Sequence, residues 1–124
     1  MNDSVREITA TSFAPILYLK DVAAAIEFYI KAFDAIELHR WSNDDGSVHV
    51  AEMSIQTAVF HLHEEVARDN QLSPLTLGGA SVVIGLFIED SGNLFAQTVA
   101  SGATATSAVQ DYDYGYRQAN LTGL

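Results

Sequence analysis

One sequence pattern occurs twice in the chain, and this repetition limits the possible folds more than any other feature. In each copy an apolar stretch ends at an acidic residue, and apolar residues at helical spacing follow it. Leu19-Lys20-Asp21 in the first copy corresponds to Ile88-Glu89-Asp90 in the second, so Asp90 lies 69 residues after Asp21 without a gap. The chain is therefore predicted to be an internal duplication.

The first copy predicts one strand, one helix and three further strands. FAPILYL (13–19) is a short apolar run typical of a buried strand, and its Pro15 favours a strand beginning or a sheet edge. Asp21 supplies a helix N-cap, and apolar residues then recur at helical spacing, which predicts a helix that buries Val22, Ile26, Tyr29, Ile30 and Phe33. Alternating segments then follow at 36–41, 47–53 and 57–62, separated by reversals at 43–46 and 55–56.

The second copy repeats this order after a connection. Residues 64–80 contain charges, one Pro and a Gly pair, and are predicted to form a long surface connection with room for one helical turn. SVVIGLFI (81–88) predicts a strand, and Leu94, Phe95 and Val99 predict a helix ended by Gly102. Two more strands are expected over 105–109 and 114–121. A last strand matching 57–62 is expected beyond Leu124, which leaves the chain about ten residues short of two full copies, the length of a strand and a turn.

Together these elements predict an α+β fold in a single domain over 1–124. Each copy forms a βαβββ module, the first over about 13–63 and the second over 81–124, with 64–80 as the linker. The modules curl mostly antiparallel sheets into an open half-barrel around a cavity, with the helices outside. Because such sheets expose strand edges and apolar rims, we expect a homodimer.

The charge and composition of the chain exclude several classes of protein. Six Lys and Arg against sixteen Asp and Glu give a formal net charge of −10, which repels phosphate backbones and anionic lipid. There is no cysteine, which excludes disulfides, thiolate zinc sites and cysteine nucleophiles. No stretch reaches about 18 apolar residues, and the start has no apolar signal region, so we expect a cytoplasmic protein without a nucleic-acid or membrane partner.

Four stretches of the chain carry a resemblance to a known family. They are ILYLKDVAAAIEFYIKAFDA (16–35), NDDGSVHVAEMSI (43–55), LFIEDSGNLFAQTVASGA (86–103) and DYDYGYRQANLTGL (111–124). Their order and composition resemble the vicinal oxygen chelate superfamily, which includes glyoxalase I, bleomycin-resistance proteins and extradiol dioxygenases. The chain looks most like the small glyoxalase-like group. The resemblance implies the fold and a dimer but no single reaction, because this scaffold serves isomerases, oxygenases, thiol transferases and drug binders.

The resemblance also implies where a metal would bind. Metal-dependent members take one ligand from the first strand and one from the fourth strand of each module. In this chain the first-strand positions fall on Ala14 and Val83, whose side chains carry no donor atom, and one fourth-strand position falls on His61. The other would lie beyond Leu124. Because zinc and iron need at least three protein donors, we expect no metal and no other cofactor.

His61 and His63 are the strongest candidates for chemistry. They lie two residues apart on one predicted strand, so they share a face with Val59, and the alternate residues face the helix. The two imidazoles form either half a metal site or a proton-transfer pair, with His61 as the candidate catalytic residue, or they are only the polar lining of a wet cavity. His49 and Glu52 lie three apart, face opposite ways and are not expected to act as one pair, and His39 is expected at the surface.

Aromatic and cationic side chains complete the candidate binding site. Arg117 follows three tyrosines in YDYGYR, and its guanidinium could hold a carboxylate or phosphate beside an aromatic wall such as Tyr114. Alternatively, Arg117 only pairs with a neighbouring aspartate. Tyr18 and Trp41 could line an apolar pocket inside the sheet, although a lone Trp is often part of a core.

Three functions are consistent with these residues. The first is a glyoxalase-like domain that binds a small molecule in the sheet cavity, or a lyase- or isomerase-type enzyme that works without the metal quartet. The alternative is a bleomycin-resistance type of protein that sequesters a cationic drug, which the charge of −10 suits. The third is a structural or regulatory dimer with no ligand. The lining of the cavity distinguishes them.

Overall fold

The structure is a computed structural model that describes residues 11–79, 82, 84–88, 91–111 and 117–122. The first half of the chain contains β1 (Ile16–Leu19), α1 (Val22–Phe33), β2 (Ile36–Ser42), β3 (Val48–Ile55) and β4 (Ala58–Glu64). A 3-10 helix (Ala67–Asp69) and the short helix α2 (Pro74–Leu77) lie in the connection, and α3 (Ser91–Ala100), β5 (Thr104–Asp111) and β6 (Arg117–Thr122) follow. The first half has the β-α-β-β-β order predicted from the sequence.

Helix α1 begins and ends where the sequence indicates. The Asp21 carboxylate accepts a hydrogen bond from Ala24 N at 3.0 Å, and Asp34 ends the helix in the left-handed region at φ 55°. Ile30 departs from the prediction, because 42% of it is exposed. The buried face of α1 is turned towards Phe28 and Ala32, which pack with Ala103 of the second half, and this rotation moves Ile30 to the edge of the face.

Removing the N-cap tests how much α1 depends on it. We predict that Asp21→Ala lowers the free energy of unfolding by about 1 kcal/mol, because the amide of Ala24 loses its acceptor. Denaturant unfolding measures this effect. Asp44→Ala, which removes an exposed acid from the β2–β3 turn, is the control of equal charge change. An equal loss in both variants would attribute the effect to net charge.

The four strands of the first half form one open sheet in the order β1-β4-β3-β2. β1 runs parallel to β4 and lies at an edge, and the other neighbours are antiparallel. Helix α1 covers one face, where the core combines residues of the helix and the sheet. The buried members of this core are Val22, Ile26, Ala35, Val48, Ala51, Met53, Ile55, Phe60 and Leu62.

The first predicted strand is shorter than expected. It begins at Ile16, directly after Pro15, and Phe13 is fully exposed at 101%. Pro15 therefore stands at the start of an edge strand. This position suits proline, because it has no backbone N–H to donate to a neighbouring strand. Its carbonyl accepts from His61 N at 2.9 Å, so the chain before β1 still follows β4 for one further hydrogen bond.

The second half is confirmed only in part. Helix α3 and the antiparallel pair β5–β6 are present, and Gly102 follows α3 with φ 113°. The predicted strand over 81–88 is wrong where the structure describes it, because residues 82 and 84–88 lie in no strand. Gly85 interrupts this segment, and neither described sheet gives it a partner for ladder hydrogen bonds. Val83 and Asp90 lie outside the described residues.

Helices α1 and α3 pack together and join the two halves. Gln97 Nε2 donates to Lys31 O at 2.8 Å and lies 3.2 Å from Asp34 Oδ1. Thr98 Oγ1 lies 2.7 Å from Leu94 O and 3.2 Å from Ala32 O, and Thr98 is 1% exposed. Two side chains of α3 thus donate hydrogen bonds to carbonyl groups in the last turn of α1. These carbonyls have no donor within their own helix.

The described helices contain no segment that is both long and apolar enough to cross a membrane.

Candidate functional site

The four-stranded sheet has a second face, which we call the open face, on the side away from α1. Residues alternate between the faces of a strand. Met53 and Leu62 belong to the core on the α1 side, so their neighbours in β3 and β4, among them Glu52 and His61, lie on the open face. The predicted assignment of His61 and His63 to the face opposite the helix is confirmed by the burial of Phe60 and Leu62 on the other one.

Two rows of side chains cross the open face from strand to strand. The strand register defines both rows through pairs of Cα partners. The Tyr18 row contains Tyr18, His63, Val50 and Trp41. The Glu52 row contains Ile16, His61, Glu52 and His39. Four of the predicted site residues, Tyr18, Trp41, His61 and His63, therefore share this face.

A bulge in β2 brings Trp41 to the open face. Ile36 is opposite Ser54, but the register shifts between Glu37 and His39, so that His39 is opposite Glu52 and Trp41 is opposite Val50. Without the extra residue, Trp41 would point to the other face, because a shift of one residue reverses every side chain. The His39 and Trp41 rings then lie 4.1 Å apart between centroids at an interplanar angle of 35°.

His63 lies among aromatic rings at the other end of its row. Its ring packs edge-on against Tyr18 with centroids 5.6 Å apart, and the His49 ring lies 6.4 Å away. Partial burial, together with the nearby His49 and His61, lowers the pKa of His63 below its ordinary value of 6.5. His63 is therefore neutral near pH 7 and can accept a proton or a hydrogen bond.

The lowered pKa of His63 predicts how stability depends on pH. The unfolded chain takes up this proton at higher pH than the folded one, so stability is lost as the pH falls from 6.5 towards the folded pKa of His63. We expect His63→Gln to make the stability less dependent on pH between about 7 and 5. Denaturant titrations at a series of pH values measure this. If the two proteins lose stability in parallel over this range, the prediction is wrong.

Glu52 is a site residue that the sequence analysis missed. The sequence shows correctly that Glu52 and His49 do not form a pair, and His49 Nδ1 instead lies 2.7 Å from Glu64 Oε1. Glu52 is the cross-strand partner of His61 and is only 7% exposed. The turn lies at Gln56 and Thr57, one residue later than the predicted reversal at 55–56, so Ile55 pairs with Ala58 and Glu52 stands opposite His61. Counting back from the predicted reversal would have placed Glu52 opposite Val59 instead.

The other predicted site residues are not brought together with these. Arg117 begins β6, and its Cα is opposite that of Asp111 in the two-stranded sheet. Tyr114 lies outside the described residues. The role of Arg117, as an anion ligand or as the partner of an aspartate, remains a prediction.

The described residues do not provide a metal site of the family type. Among them, no three His, Asp or Glu side chains are placed to hold one ion. Ala14 has no donor atom, and His61 has the single carboxylate of Glu52 opposite it in the sheet. Zinc and iron need more ligands than this pair.

Comparison with known proteins identifies the family. The sequence profile of the Glyoxalase/Bleomycin resistance protein/Dioxygenase superfamily matches residues 10–122. The chain belongs to this superfamily. The resemblance found in the sequence is thereby confirmed, and the open sheet with its outer helices is consistent with the glyoxalase fold.

Similar proteins support the fold and leave the reaction open. Uncharacterized proteins of Mycobacterium bovis and Mycobacterium tuberculosis are each 35% identical over 109 residues, 86% of this chain. The chain covers 72% of the first and 64% of the second, so both relatives are longer. An Arabidopsis thaliana gene product of known structure is 24% identical, with a TM-score of 0.70, over 93% of this chain and 92% of its own. At that identity the likeness shows the fold alone.

Proposed function

We propose that this glyoxalase-superfamily domain binds a small organic molecule on its open face. The observation that carries the proposal is the pair of adjacent rows, which place aromatic, imidazole and carboxylate side chains on one half-exposed surface. Tyr18 and Trp41 are separated by three strand spacings, or about 14 Å, which suits a drug-sized ligand lying across the strands. Apolar walls with a few convergent polar groups are typical of small-molecule sites.

The same side chains support a lyase or isomerase type of reaction as the finer proposal. His61 would be the proton acceptor, with the buried Glu52 carboxylate across from it to stabilise the imidazolium that forms. His63, which is neutral near pH 7, would be the second proton-transfer group beside His61. The proposal needs no metal, and it commits only to proton transfer within a bound substrate.

Trp41 allows binding to be measured directly, because it is the one tryptophan in the chain. A titration of fragment mixtures, followed through the single indole N–H signal in NMR spectra, should shift that signal together with the imidazole signals of His61 and His63. His61→Gln should weaken the fragments that bind. The matched control is His49→Gln, whose ring lies next to Glu64 instead of in either row. If no fragment shifts the Trp41 signal, the proposal is wrong.

Sequestration of a cationic drug is the second candidate function. The net charge of −10 favours it over binding of an anion. A bleomycin-type compound should then bind with one molecule per chain and be recovered unchanged after incubation. Recovery of a chemically altered compound would favour the enzyme, and failure to bind would exclude this candidate.

We also propose a homodimer, because apolar side chains are exposed in the connection and after it. They are Leu75, Leu77, Val82, Ile84, Leu86 and Phe87. Burying such a surface against a second copy would remove it from water. Sedimentation analysis tests the dimer, and a monomer at micromolar concentration would contradict it. A dimer that binds no fragment would favour the structural role.

Metal content is a separate prediction. We expect no stoichiometric zinc, nickel, manganese or iron in the purified protein, because the positions of the family ligands fall on Ala14 and Val83. Elemental analysis measures this. One tightly held divalent ion per chain, lost in His61→Ala, would contradict the prediction, whereas weak capture by His61 and His63 from a nickel column would not.

A further inference from the structure

The Tyr18 row of the open face is lowest at Val50, the one residue of that row without a ring. We propose that Val50 is the floor of a notch between Trp41 and His63, and that this notch selects ligands which carry a single flat aromatic ring. This inference rests on the proposed function and names the ligand class together with the residue that determines it.

Val50 lies between two taller side chains. In the register its partners are Trp41 of β2 and His63 of β4. Side chains stand roughly perpendicular to a sheet, and the valine side chain is shorter than those of tryptophan and histidine. All three residues are half-buried, so each keeps part of its surface open to solvent. The row thus forms a notch with an aliphatic floor and a ring on each side.

A bulge in β3 keeps the next valine out of the notch. Trp41 is opposite Val50 but Ser42 is opposite Val48, so His49 is an extra residue in β3. Plain alternation would put Val48 beside Val50 on the open face. Val48 instead belongs to the core under α1 and is 5% exposed. The bulge therefore leaves Val50 as the floor at this end of β3.

The width of the notch suits one aromatic ring. Trp41 and His63 lie two strand spacings apart, or about 9.5 Å. A ring centred over Val50 would lie about 4.8 Å from each flanking strand, within the roughly 4.5–7 Å at which aromatic ring centroids make favourable contacts. A second ring beside it across the strands would overlap Trp41 or His63.

A further ring holds each flank of the notch in place. The His39 and Trp41 rings lie 4.1 Å apart between centroids, and Tyr18 packs edge-on against His63 with centroids 5.6 Å apart. These contacts restrict Trp41 and His63 before a ligand arrives, so less ordering is needed on binding. Aromatic pairs also attract each other beyond the area that they bury, and a saturated ring lacks this attraction. The notch therefore favours a flat aromatic ring over a saturated ring of the same size.

Two probes of nearly equal size and polarity test the inference. p-Cresol carries the flat ring, and 4-methylcyclohexanol is its saturated counterpart. In NMR titrations near neutral pH, followed through the Trp41 indole signal, we expect p-cresol to bind at least about fivefold more tightly. Equal affinities for the two probes would overturn the inference.

Filling the notch tests the role of Val50. Val50→Phe places a ring where the ligand ring would lie, so we expect p-cresol to bind at least about tenfold more weakly. The matched control is Val59→Phe, the same change on the open face of β4, where Val59 is opposite Ser54 and outside both rows. This control should leave p-cresol binding unchanged, and thermal unfolding shows whether both variants remain folded. An equal loss in both variants, or full binding to Val50→Phe, would contradict the role of Val50.

Trp41→Leu tests the need for a ring without filling the notch. Leucine keeps an apolar flank, so the preference for p-cresol over 4-methylcyclohexanol should fall to about twofold or less. The imidazole signal of His63 reports binding in this variant. A preference that survives in Trp41→Leu would overturn the selection of aromatic rings, whatever the folding of Val50→Phe.

The outcomes separate this inference from the proposed function. Equal binding of the two probes, or binding that Val50→Phe does not change, overturns the notch, while the shifts at Trp41 would still support a small-molecule site. If neither these probes nor the fragment mixtures shift Trp41, both the inference and the proposed function fail.

Discussion

Replacing Leu62 with alanine is expected to lower the free energy of unfolding by about 2–5 kcal/mol. Leu62 is 0% exposed and lies on β4, between its partners Ala51 of β3 and Leu17 of β1. The cavity would open in the core under α1, and β strands with hydrogen bonds on both sides cannot move in to fill it. Because small domains are stable by about 5–15 kcal/mol, such a loss would be a large part of the total.

Ile36→Ala is the control for Leu62→Ala, since Ile36 is also a branched apolar residue of the sheet but is 59% exposed on edge strand β2. It should change stability by about 0.5 kcal/mol or less, as surface substitutions usually do. Denaturant unfolding of both variants measures the difference, provided that the slope with denaturant is unchanged. Equal effects would mean that the α1 side of the sheet is not the dominant core.

The first half of the fold was predictable because its signals are local. Asp21 as an N-cap, the apolar spacing up to Phe33 and the reversals at 43–46 and 55–56 each act over a few residues. The same local reasoning failed at 81–88, because a strand also needs a partner and the sequence does not name one. Ile30 was misplaced for a similar reason, since the buried face of α1 includes Phe28 and Ala32, which pack with Ala103 of the second half.

The candidate site was also predictable only where its signals are local. His61 and His63 were predicted to share a face from their spacing, but the predicted reversal at 55–56 was one residue early and did not place Glu52 opposite His61. No local signal marks the bulge that turns Trp41 onto the open face, because its extra residue has ordinary strand composition. Nor does the sequence fix the parallel register that sets Tyr18 beside His63, which depends on how α1 returns the chain to the sheet.

The second large loss of stability is expected at Thr98, where α3 of the second half contacts α1 of the first half. Thr98→Val keeps the size of the side chain, but it removes the hydroxyl that lies 3.2 Å from Ala32 O and 2.7 Å from Leu94 O. Because Thr98 is 1% exposed, water cannot replace the lost donor, and we expect stability to fall by about 1–3 kcal/mol. The loss should be larger than that of Asp21→Ala, where the freed amide is open to solvent.

Thr57→Val is the same chemical change in the exposed reversal between β3 and β4, and it should alter stability by about 0.5 kcal/mol or less. Amide hydrogen exchange also shows which part of the structure is destabilised. In Thr98→Val the amides of α3 and of the last turn of α1 should exchange faster, while those of β3 and β4 should change only with global stability. If the two variants are equally stable, or if exchange rises evenly over the sheet, the Thr98 hydroxyl does not join the halves. A rise confined to the two helices would show that the two halves are held together at this contact and that α3 depends on α1 for its stability.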